Sequence, residues 1–136
     1  MTRSPAVRFL QPKGLAVSPN YTHVVEVRSG RTAYLSGQIA VDAAGQVVGA
    51  GDFEAQARQV FGNLRLALTA ASMNFSHIIK LNLYLTDMSH LPVMSRVRAE
   101  YIGNNPPPAS TLIQVAGLAY PELLFEAEAI AFTEGD

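Results

Sequence analysis

The chain has 136 residues, 49% of them hydrophobic and 15% charged, with a formal net charge of −1 and no cysteine. That length predicts one domain over residues 1–136, and the lack of cysteine excludes disulfides, thiolate nucleophiles and thiolate metal sites. A near-neutral balance without a basic cluster argues against nucleic acid as a partner, and no apolar run nears the ~20 residues of a membrane span.

The N-terminal MTRSPAVRFLQPKG lacks the apolar centre of a secretory signal, which predicts a cytoplasmic protein. Residues 5–10 read as a short edge strand ended by Pro12 and Gly14. Val24 to Arg28 and Thr32 to Val41 read as strands around the turn Ser29-Gly30, and Gln46 to Val48 as a return strand, so the first third predicts a β-meander. From Asp52 the period changes. Phe53, Ala57, Val60, Phe61, Leu64, Leu68 and Ala71 make one helical stripe, with Asp52 as N-cap and Asn74 at the C-terminal end.

Ile79, Leu81, Leu83 and Leu85 then alternate with Lys80, Asn82, Tyr84 and Thr86, a strand with one apolar face. A second helix is predicted from about Ser89, with Pro92 in its first turn, Leu91, Met94, Val97 and Tyr101 facing inward, and Gly103 as its stop. Pro106, Pro107 and Pro108 stiffen the chain ahead of a strand over 111–118. A final strand covers 123–132 beyond the turn Ala119-Tyr120-Pro121-Glu122. Both of its faces carry apolar residues, so both are expected to be covered, one by helices and one by a partner subunit. The low charge fraction, against about 25% in ordinary domains, points the same way. The order of elements is that of an α+β domain with two helices on one side of a sheet.

Glu126 and Glu128 stand among the apolar residues of that last strand. A carboxylate there needs a reason: acid–base chemistry on water, or an interface ion pair at a wet rim. Gly37 within Ser36-Gly37-Gln38 interrupts a strand, as at a bulge or where backbone meets a ligand. The prolines serve either as a stiff crossover or as a wall presenting the Ser110 and Thr111 hydroxyls. Tyr21, after a Pro-Asn turn, either packs locally or lines a cleft. His23, His77 and His90 lack metal-ligand spacing, AAGQVVGAGDF lacks a nucleotide-loop spacing, and no serine sits in a nucleophile elbow.

Taken in order, Tyr21, YLSGQIAVD at 34–42, QVFGNLRLALTAA at 59–71, HIIKLNLYLTDMSHLPVMSRV at 77–97, PPASTLIQVAGL at 107–118 and FEAEAIA at 125–131 resemble the RidA/YjgF family of reactive-intermediate deaminases. The resemblance spans residues 14 to 132. It implies a chorismate mutase-like mixed β-sheet with two helices on one face, and a homotrimer whose sheets form an inner β-barrel with clefts between subunits. It also implies hydrolysis of small-molecule enamines or imines such as 2-aminoacrylate, without cofactor or metal. By that likeness Glu126 positions the attacking water, and Tyr21, Ser36, Gly37, Ser95, Ser110 and Thr111 bind substrate. Ser110 falls where the family carries a carboxylate-gripping arginine, and Ser95 where many members carry asparagine. The expected reading is an arginine-lacking branch that acts on a neutral or differently charged imine-like or enamine-like compound rather than on 2-aminoacrylate itself, unless Arg31, Arg96 or Arg98 swings in to supply the missing cation. The alternatives are a metabolite-binding trimer without chemistry and the ribonuclease or translation inhibitor of older family descriptions. The near-neutral charge and the lack of a basic, aromatic-rich stripe weigh against the last.

Overall fold

A computed structural model of the protein describes residues 6–103 and 106–134. Its eight main elements are β1 (Val7–Leu10), β2 (Val24–Val27), β3 (Arg31–Gln38), α1 (Phe53–Ala70), β4 (Ile78–Leu85), α2 (Leu91–Ile102), β5 (Ala109–Gln114) and β6 (Phe125–Thr133). Four strands form a sheet in the order β3-β6-β4-β5, with β4 and β5 parallel and the other pairs antiparallel. Both helices pack against one face of this mixed sheet.

The helices begin and end for local reasons. Asp52 accepts a hydrogen bond from the Ala55 amide at 3.1 Å, which satisfies one of the free donors at the start of α1. The stripe Ala57, Val60, Phe61, Leu64 and Leu68 is wholly buried. Phe61 sits against Phe125 of β6 with ring centroids 5.6 Å apart, so helix and sheet interlock at large side chains. In α2, Met94 and Val97 are buried as the pattern predicts. Tyr101 is half-buried and stacks on Phe61, while Ile102 takes the innermost place of the last turn. Gly103, at φ 67°, stops the helix.

Four expectations change. The first third is no meander: β2 pairs with β1 in a separate two-stranded sheet, and β3 pairs with β6. Ser29-Gly30 therefore links two sheets. Gly30 takes a φ of 154°, and a Cβ on it would lie 2.3 Å from the Thr133 carbonyl, so glycine lets the chain pass the end of β6. The stretch 46–48 contributes one bridge, Val41 to Val47, rather than a strand. Asn74 does not close α1. It caps the short turn Phe75–His77, accepting from the Ser76 amide while its own amide donates to His77 Nδ1. β5 ends at Gln114, four residues short of the predicted limit.

Gln56 is fully buried, yet each end of its amide is satisfied. It donates to the carbonyls of Gly49 and Glu122 and accepts from the Leu124 amide at 2.8 Å. It thereby ties the loop before α1 to the loop before β6. Among the described residues no helix is long and apolar enough to cross a membrane.

Candidate functional site

Alternation along β4, β5 and β6 divides the chemistry-bearing residues between two sides of the sheet. Leu81, Leu83 and Leu85 of β4 point to the helices and are buried. Asn82 and Tyr84 point to the helix-free side and stand opposite Glu128 and Glu126 of β6. On β5, Thr111 pairs with Asn82 and so shares the helix-free side, whereas Ser110 pairs with Leu81 and turns toward α2.

On the helix-free side the Asn82 amide donates to Glu128 Oε1 at 3.1 Å and the Tyr84 hydroxyl donates to the same oxygen at 2.5 Å. That bond, more than desolvation, pushes the Tyr84 phenol above its usual pKa. Lys80 Nζ donates to Thr111 Oγ1 at 3.0 Å. A hollow of about 280 Å³ lies here, lined by Tyr34, Ser36, Lys80, Asn82, Glu128 and Ile130 among others. Glu126 stands beside it. Partial burial first, and the charge of Glu128 second, raise its carboxyl above the ordinary 4.5.

Gly37 explains where the Glu126 carboxylate lies. The β3–β6 register slips between Leu35 and Gln38, so Ser36-Gly37 is a bulge. A Cβ on Gly37 would come within 2.0 Å of Glu126 Oε2. The bulge reading of this glycine therefore holds, and it is the Glu126 carboxylate of the chain itself that occupies the space a side chain would fill.

On the helix side a second hollow, about 270 Å³, gathers Asn20, Tyr21, Leu91, Ser95, Arg98, Ser110 and Leu112. Tyr21, Ser95 and Ser110, singled out from the sequence, line this one hollow. Glu126, Ser36, Gly37 and Thr111 lie elsewhere. Glu126 is in register with Tyr84 and hence with Ile113. Ser110 is three residues back along β5 and two strands across, about 14 Å by sheet spacings, with its side chain on the opposite face.

The proline run holds the second hollow together. Proline has a carbonyl but no N–H, so residues 106–108 can only accept. Thr22 supplies both donors: its amide reaches the Pro108 carbonyl at 3.0 Å and its hydroxyl the Pro107 carbonyl. Thr22 is buried and follows Tyr21 directly, so one clamp sets Tyr21 against the start of β5. Sequence reasoning passed over Thr22, although three consecutive acceptors without donors imply a donor nearby. It also passed over Asn82 and Tyr84, whose polar positions opposite two glutamates were the available signal. The three histidines have separate local tasks: His23 meets Tyr21 edge-on at 5.1 Å, His77 completes the Asn74 cap, and His90 stacks on Phe53 at 4.4 Å.

The sheet order, the bulge and the paired glutamates accompany a match of residues 12–133 to the family model described as Endoribonuclease L-PSP. The chain belongs to this family, the RidA/YjgF family. It is 36% identical over 103 residues to Protein DfrA of Myxococcus xanthus, covering 76% of this chain and 77% of that protein. It is 35% identical over 117 residues to the 2-iminobutanoate/2-iminopropanoate deaminase of Mus musculus, covering 85% and 82%. Among solved structures, a Rid-family protein of unknown function from Yersinia pestis superposes with a TM-score of 0.85 at 34% identity, covering 95% of this chain and all of that one.

Proposed function

We propose that this RidA/YjgF chain is a homotrimer that hydrolyses a small reactive enamine or imine in a cleft shared by two subunits. The observation that carries this is the division of the expected site. Glu126 with Gly37 and Ser36 occupies one face, and Tyr21, Ser95 and Ser110 occupy the other, about 14 Å apart by sheet spacings. One small substrate cannot span that within a single chain. In a trimer with the helix-free faces turned inward, Glu126 of one copy meets the substrate-holding wall of the next. The helix-free face supports such packing: Tyr34, at 80% exposure, projects from it beside Ile130.

In the proposed reaction an enamine first tautomerises to its imine. Glu126 takes a proton from water as the oxygen adds to the C=N carbon and returns it to the imine nitrogen, giving a neutral carbinolamine. The tetrahedral carbinolamine then collapses, with the C–N bond breaking, ammonia leaving and a carbonyl remaining. In that collapse Glu126 carries the hydroxyl proton to the leaving nitrogen, and partial burial, with Glu128 beside it, raises its carboxyl in the direction that favours holding a proton. The mouse relative's name supplies the substrate class, a 2-imino acid. Ser110, where the family's carboxylate-gripping arginine is expected, supports reading this chain as an arginine-lacking branch with a weaker grip from the β5 side. A charged hydrogen bond is worth roughly 1.5–3 kcal/mol.

The test is hydrolysis of freshly generated 2-aminoacrylate and 2-iminobutanoate, together with imines that carry no carboxylate. Wild type should accelerate at least one of them, and Glu126→Gln should lower the rate roughly 10²- to 10⁴-fold. Binding without turnover in both proteins would favour the metabolite-binding trimer. The ribonuclease reading predicts salt-sensitive RNA binding, which the net charge of −1 disfavours.

A further inference from the structure

Among the described residues Arg98 differs from the other arginines in its surroundings. Arg8 and Arg28 pair with Glu26, Arg58 with Glu54 and Glu100, and Arg96 with Glu54. Arg31 donates to the Ala71 carbonyl, and Arg65 lies over the rings of Phe75 and Tyr101. Arg98 is half-buried, and among the described residues it makes no ion pair. Its polar contact is a neutral one, to Asn20 Oδ1 at 3.2 Å. It also lines two hollows: the one with Tyr21, Ser95 and Ser110, and a smaller one of about 100 Å³ behind it, against Pro107 and Pro108. Arg98 is therefore shared by the walls of both hollows, with its guanidinium hydrogen-bonded to one neutral amide.

Burying a cation without a counter-charge is costly, and an anion that arrives there relieves the cost. The opposite directions of the arginine pKa values express this. Carboxylate partners raise those of Arg58 and Arg96, whereas burial alone lowers that of Arg98. A guanidinium fork matches the planar two-oxygen edge of a carboxylate. The hollow, at about 270 Å³, suits an acid of a few heavy atoms, smaller than a drug-sized ligand.

We propose that Arg98 makes this hollow a carboxylate-binding site, its guanidinium taking a small acid from the α2 side beside the hydroxyls of Ser95 and Ser110. The cation expected on the β5 strand is thus supplied by the helix facing it. Arg96 is held by Glu54 on the exposed face of α2 and does not compete for this role. The proposal deepens the deaminase reading, on which the identity of the acid as a 2-imino acid rests, while carboxylate binding stands on the geometry alone.

The experiment is calorimetric titration of the full-length protein with 2-oxobutanoate, a stable acid of the right size, and with the neutral 2-oxobutanamide. Wild type should bind the acid at least tenfold more tightly than the amide. Arg98→Gln should weaken the acid roughly ten- to a hundredfold and leave the amide unchanged. The double change Arg98→Gln with Ser110→Arg should restore acid binding from the strand side. Equal binding of acid and amide by wild type, no binding of the acid, or unchanged acid binding in Arg98→Gln each overturns the proposal. The wild-type comparison decides the matter even if the variants fail to fold. The same proteins separate the two proposals. Carboxylate binding that depends on Arg98, with no imine hydrolysed by wild type, keeps the site and removes the reaction. Hydrolysis at unchanged KM in Arg98→Gln does the reverse.

Discussion

The two faces of the four-stranded sheet are built from the same alternating strands, yet they have opposite characters. The helix side is closed by α1 and α2 over Phe61, Leu83 and Phe125, with Gln56 as its buried polar residue and every bond of that amide satisfied. The helix-free side carries Tyr34, Lys80, Asn82, Tyr84, Glu126 and Glu128, and leaves Tyr34 almost fully exposed. The difference teaches that the first face is finished by this chain, whereas the second is left open, which is the feature the proposed assembly rests on. Its polar residues are bonded to one another in a layer rather than scattered singly as on an ordinary surface.

That contrast can be broken from either side. The largest effect belongs to the closed face: Phe61→Ala should remove about 3–5 kcal/mol of folding stability, read from urea denaturation, because the ring is fully enclosed between α1, α2 and β6. A loss below about 1 kcal/mol would mean that this side is not the main core. Next comes assembly. Tyr34→Glu should keep the circular dichroism of the folded chain and yet reduce the sedimenting mass to that of a monomer, since it puts an unpaired charge into the proposed interface. A wild-type protein that already sediments as a monomer ends that reading.

The smallest effect is in pH dependence. The folded-state pKa of Glu126 lies above its ordinary 4.5, so the stability linked to its proton is fully present below 4.5 and is lost as pH rises through the folded value. Glu126→Gln removes that loss. Its urea midpoint relative to wild type should therefore increase between pH 4 and pH 7, and a flat difference would show that burial and Glu128 do not act on this carboxyl as described.

How much of this could be read in advance depended on whether a signal was local. The stripe of α1 and the alternation of β4 were legible because burial imposes a period on neighbouring residues. The double-faced pattern of β6 indicated cover on both sides, and the helices do close over its Phe125 side. Strand pairing was not legible in the first third. Ser29-Gly30 looks like a hairpin turn, but what decides its geometry is the Thr133 carbonyl, a hundred residues later, which no local pattern encodes. The candidate site divided in the same way. Glu126, Gly37, Tyr21 and Ser110 could each be singled out by type and context. That Ser110 and Glu126 point to opposite faces follows from the parallel β4–β5 register, and that register could not be counted before the strands were aligned. Arg98 could be named beforehand only as one of three cations, because on an exposed helix face and in a half-buried wall an arginine reads alike.

The Thr22 clamp has a mechanical consequence. A ribbon of prolines that offers only acceptors cannot slide along its neighbour by exchanging hydrogen bonds, as an ordinary strand edge can, so it is pinned where Thr22 donates to it. The loop bearing Tyr21 and the first turn of backbone into β5 must then move as one body, and whatever displaces either wall of the hollow displaces both.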